Sequence, residues 1–118
     1  MPMKIMPYTS AKANHFDGDL MKGVTGRVLV GQADGAEKFC MRLFEIASGG
    51  FTPKHAHDWE HEIFVHSGEG AVFTGGVWVP ISRGTVLFIP PNEVHQMKNA
   101  GEDPLVFVCL IPSGPPEL

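Results

Sequence analysis

A chain of 118 residues has room for one ordinary domain. With 43% hydrophobic and 19% charged residues it should bury a core, which excludes intrinsic disorder. A net charge of −4 and a pI near 5.8 exclude a nucleic-acid backbone as the natural partner, because there is no surplus of Lys or Arg.

Residues 1–22 are polar and mixed and read as an N-terminal arm with room for one edge strand. Met1–Ser10 has no apolar stretch and does not read as a signal peptide. From Gly23 to Pro112 short apolar segments alternate with turn residues, and this span is the expected domain. Strands are predicted at Val24–Val30, Phe39–Ile46, Phe51–Asp58, His61–Ser67, Ala71–Thr74, Val77–Ile81, Thr85–Ile89, Val94–Lys98 and Leu105–Ile111. Ser48-Gly49-Gly50 and Gly68-Glu69-Gly70 are read as strand ends, and Gly75-Gly76 as a two-residue hairpin loop. Pro90-Pro91 should stop the seventh strand, and residues 113–118, with their prolines, are expected to form a loose tail. The fold class is therefore all-β, a sandwich or a barrel.

The longest apolar run, Leu105–Ile111, is far too short to cross a membrane as a helix. It is apolar on both faces, although a strand of a small barrel buries only one. The second face calls for a cover, and a homodimer is the expectation. Cys40 and Cys109, with no secretory signal in view, are expected as reduced thiols in a cytoplasmic protein.

Three of the six histidines crowd into His55-Ala56-His57-Asp58-Trp59-Glu60-His61. On extended chain His55 and His57 point to one face, and His61 joins them if the intervening turn keeps register. Converging imidazoles suit Fe, Ni, Cu or Zn. His61-Glu62-Ile63-Phe64-Val65-His66 mimics a zinc-protease signature, but it has one residue too many and lies in strand-forming sequence. His66 has the opposite parity and His15 sits in the arm, so both should be exposed.

The wider spacing resembles the two motifs of the cupin superfamily. The first, G-x5-H-x-H-x3,4-E-x6-G, reads Gly49, His55, His57, His61 and Gly68, with histidine where the family usually has glutamate. The second, G-x5-P-x-G-x2-H-x3-N, reads Gly84, Pro90, Asn92, His95 and Asn99. Only Asn92 departs from it, and Asn is the non-glycine residue most tolerant of a left-handed backbone. The motifs together cover residues 49–99. The alternative spacing would select Glu62 as third ligand. The distance to Gly68 and the strand parity both favour His61.

This resemblance implies a cupin double-stranded β-helix, or jelly-roll barrel, binding one divalent metal ion per chain through His55, His57, His61 and His95. The histidine run looks like that of small four-histidine cupins, which points to Mn or Fe, with Ni or Zn as alternatives. It also places the last strand in the barrel interior, so that Phe107, Cys109 and Ile111, together with Trp59, could line the pocket. The expected partner is a small organic molecule. The favoured activity is a metal-dependent oxidoreductase of dioxygenase type. The alternatives are a metal-dependent isomerase, lyase or decarboxylase, or a non-enzymatic small-molecule or metal-binding module.

Overall fold

The computed structural model describes residues 2–118. Its strands are β1 (Asn14–Phe16), β2 (Lys22–Val30), β3 (Phe39–Phe51), β4 (His61–Ser67), β5 (Glu69–Thr74), β6 (Val77–Ser82), β7 (Val86–Ile89), β8 (Gln96–Lys98) and β9 (Leu105–Pro112). The only other regular pieces among the described residues are two short 3-10 turns. Every ladder is antiparallel, in the order β6-β5-β8-β3-β9-β4-β7, with β2 also on β3 and β1 on β2. The fold is the jelly-roll barrel expected from the sequence.

Strand β3 is the spine. It pairs with β2 on one side and β9 on the other, and its last residue, Phe51, reaches Lys98 of β8. One strand thus joins the two halves of the curled sheet. The Gly49–Gly50 pair lies inside β3 and does not end it. A Cβ on Gly50 would come within 2.5 Å of the Lys22 carbonyl oxygen, so this glycine permits close approach of β2 where the register shifts. The Gly75-Gly76 hairpin forms as expected, with both φ angles positive, at 56° and 84°.

The segment expected as a strand over Phe51–Asp58 is instead an extended loop. Pro53 has no N–H to donate, and Thr52 makes the local ties, exchanging bonds of 2.9 Å with Met97 through its own N–H and its hydroxyl oxygen. Only His55 pairs across, in an isolated bridge with His95. The predicted Val94–Lys98 strand shortens to β8 for the same reason.

Inward-facing residues of β3, β4 and β9 build the core, where Ile46, Val65 and Leu105 have no measurable exposure. Asn99 is buried and donates to the Ile46 and Asp103 carbonyls at 2.8 Å each, so it holds the turn before β9. The expected edge strand of the arm is β1, and Phe16 and Met21 pack on the core. The C-terminal residues do not hang free as expected. The Glu117 carboxylate accepts from the Gln32 N–H at 2.8 Å, and Pro116 and Leu118 line the barrel cavity. An otherwise unpaired turn amide supplies the anchor that composition alone did not reveal.

Candidate metal centre

The His55–His95 bridge brings the two sequence motifs together. Each residue's N–H donates to the other's carbonyl, at 3.0 and 2.9 Å, and the rings meet edge to face with centroids 4.6 Å apart. His57 lies 4.4 Å from His55 and 5.9 Å from His95, centroid to centroid. One nitrogen from each of His55, His57 and His95 can be chosen so that all lie within 4.8 Å of one another, which suits a shared metal ion. His61, on β4, points inward beside them, 5.3 Å from the His57 ring and 5.2 Å from that of His95.

Tautomers follow from the neighbours. The Nδ1 atoms of His55 and His95 face the carbonyl oxygens of Pro53 and Glu93 at 2.6 and 2.9 Å. A carbonyl only accepts, so each Nδ1 carries the proton and each Nε2 offers a lone pair. This outer hydrogen bond is the kind that orients a metal-binding imidazole. The Nε2 of His61 is buried and has no partner, which costs free energy unless something occupies the space in front of it. The donor set of His55, His57 and His95 therefore fits a divalent transition metal, and His61 lies outside the group whose nitrogens come within 4.8 Å of one another.

Electrostatics favour the uncharged rings. Burial, then the neighbouring histidines, push His57 down to about 4. Burial, His95 and the Arg42 guanidinium push His61 down to about 3. Burial lowers His95 as well. At neutral pH the His57 and His61 imidazoles are free bases.

The histidines occupy one wall of a cavity of about 330 Å³ whose remaining lining is mostly apolar, including Phe16, Met21, Phe44 and Phe107. Trp59 stacks on His57 at 4.3 Å with an interplanar angle of 9°, and Phe107 and Cys109 also line the space. Ile111 is buried in the core and is not among the lining residues. Glu62 faces outward, opposite Phe88 and Leu110. His15 and His66 are exposed, as expected from parity and position. Cys40 and Cys109 are both buried free thiols, each raised chiefly by burial, Cys40 to about 11.

Arg42 was not anticipated. It is buried, lines the cavity, and directs Nη2 toward the Cys109 sulfur at 3.0 Å and the His61 Nδ1 at 3.4 Å. The signal was available in the alternation Cys40, Arg42, Phe44, Ile46, which puts a lone guanidinium on an otherwise apolar inward face.

A curled antiparallel barrel with imidazoles gathered inside it defines the class. The cupin domain family model matches residues 42–111, more than half of the chain, and the chain belongs to the cupin superfamily. It is similar in structure to the polyketide cyclase RemF from Streptomyces resistomycificus, at 32% identity and a TM-score of 0.90, over 98% of this chain and 83% of that one. It is 35% identical to an oxalate-binding protein from Thermotoga maritima over 74 residues, 59% of this chain and 61% of the relative. A glucose-6-phosphate isomerase from Thermococcus onnurineus is 39% identical over 36 residues, 30% of this chain and 19% of the relative's length. No helix among the described residues is long and apolar enough to cross a membrane.

Proposed function

We propose that this chain is a metal-dependent enzyme acting on a small, largely apolar organic substrate inside the barrel. His55, His57, His61 and His95 would hold one divalent ion. The observation that carries the reading is the fixed tautomer of His55 and His95, which turns both free nitrogens away from their carbonyl partners. The ion would supply Lewis acidity to a substrate oxygen, undiminished by any carboxylate in the donor set. The chain's own residues orient and desolvate: Trp59 holds the His57 ring by stacking, while Phe16, Phe44 and Phe107 exclude water from the substrate body.

The likeness to a polyketide cyclase over nearly the whole chain supports ring closure of a carbonyl-bearing substrate as the reaction class. The histidine run supports a second reading, a dioxygenase-like oxidoreductase using Mn or Fe. Metal content of untagged protein, purified without chelator, tests the common part. Near-stoichiometric metal is expected in wild type and little in His61→Ala. Full occupancy in His61→Ala combined with loss in Glu62→Ala would move the ligand to Glu62. Turnover that persists without oxygen favours ring closure, and turnover that requires it favours the oxidoreductase. Ligand binding without turnover under any metal would leave a binding module.

A further inference from the structure

Arg42 is a buried cation with no ion-pair partner among the described residues. Among them, no Asp or Glu carboxylate oxygen lies within 4.0 Å of its nitrogens. Its neighbours are the Cys109 sulfur, the His61 Nδ1 and the Glu117 carbonyl oxygen, the last at 3.4 Å, and its Nε–H has no acceptor. The Phe44 ring lies 4.9 Å from the guanidinium carbon and gives it a partial negative surface. None of these neutralises it. A buried charge without an opposite charge is costly, and nature ordinarily keeps one only where something pairs with it.

The cavity opens beside this guanidinium, and Arg42 lines it together with the four histidines. We infer that Arg42 is an anion-recognition residue of the cavity, and that the ligand carries an anionic oxygen, carboxylate or enolate, on an apolar body. The two halves of that description come from two different observations. The unpaired guanidinium asks for the charge, and the Phe16, Met21, Val24, Phe44 and Phe107 lining asks for the apolar body. Arginine suits the task because it stays charged in a dry site and offers several N–H donors to one planar anion. The inference rests on reading the cavity as the ligand site and needs no bound metal.

The test uses chelator-treated protein, so that no ion contributes, and two matched pairs of probes. Benzoate against benzamide reads the carboxylate, and the enolate of benzoylacetone against the neutral ketone 4-phenyl-2-butanone reads the enolate. Binding is followed by Trp fluorescence and calorimetry. The charged member of at least one pair should bind about tenfold or more tighter in wild type, and that preference should disappear in Arg42→Gln and Arg42→Met and persist in Arg42→Lys. The wild-type comparison stands even if a variant fails to fold. Equal affinity within both pairs, or no binding of any probe, overturns the inference. Metal content measured on the untreated samples separates the two readings. Anion preference without metal breaks the metal assignment alone, and metal without anion preference breaks this inference alone.

Discussion

The two faces of the same strands have been given different work. Along β4 the inward residues His61, Ile63 and Val65 are buried, while Glu62, Phe64 and His66 between them face out. Across β9 and β7 the same split recurs: Phe107 and Cys109 look into the cavity, whereas Phe88 and Val86 are 60% and 73% exposed. The inner face combines apolar packing with a cluster of uncharged imidazoles and one guanidinium. The outer face exposes large apolar side chains, Phe64, Val86 and Phe88, between polar ones. A strand has period two, so one residue of slip would exchange these roles, and the polar inner residues make that exchange costly. Hydrophobicity alone does not say which face is inside. The histidines do.

The comparison breaks most sharply on paired aromatic deletions. Phe107 is 2% exposed and touches Phe44 with ring centroids 5.6 Å apart. Phe107→Ala should cost roughly 3–5 kcal/mol by leaving a cavity. Phe64, on the opposite face of the adjacent strand, is 52% exposed. At low protein concentration Phe64→Ser should change stability by no more than about 0.5 kcal/mol. Urea unfolding of both variants checks this, and similar losses would mean that the outer face is as buried as the inner.

Next in size is the response to metal. An ion that binds only the folded chain stabilises it by about 2.7 kcal/mol at a hundredfold excess over its dissociation constant. Added Mn or Fe should raise the melting temperature of metal-free wild type and of Glu62→Ala, and leave His61→Ala unmoved. A response lost in Glu62→Ala and kept in His61→Ala would place the useful donor on the wrong face.

The outer face has its own test. If a second copy covers Phe64, Val86 and Phe88, the chain should run as a dimer in light scattering. Phe88→Glu should then weaken the dimer by about 2 kcal/mol or more, enough to yield monomer at micromolar concentration. A monomeric wild type would assign the exposed aromatics no such cover.

Much of this was legible because it depends on local spacing. The His55, His57, His61 parity, the Gly75-Gly76 hairpin and the left-handed backbone at Asn92, with φ of 66°, all follow from residue type and position. What was not legible depends on distant partners. The alternation puts Arg42 on the inward face, but what it meets there, Cys109, comes from β9, far along the chain. Gly49 and Gly50 read as a strand end until the Lys22 carbonyl is found against Gly50. The tail reads as loose until Glu117 meets Gln32, 85 residues away in sequence.

The smallest expected effect sets the two faces against each other through pH. His57 and His61 fall from 6.5 to about 4 and about 3 in the folded, metal-free protein. Below pH 6.5 the unfolded chain therefore takes up protons that the folded one refuses, and these residues lower stability as pH falls toward 4. Glu62 does the reverse, because burial, reinforced by Glu60, raises it from 4.5 to about 7. Between those values the folded chain keeps a proton that the unfolded chain loses, so Glu62 lowers stability as pH rises. Melting curves of metal-free protein from pH 4.5 to 7 should show Glu62→Gln gaining on wild type with rising pH. His57→Gln should gain as pH falls. Parallel curves for both variants would mean that neither face carries the electrostatic burden assigned to it, while opposite slopes would tie the burden to the direction each side chain faces.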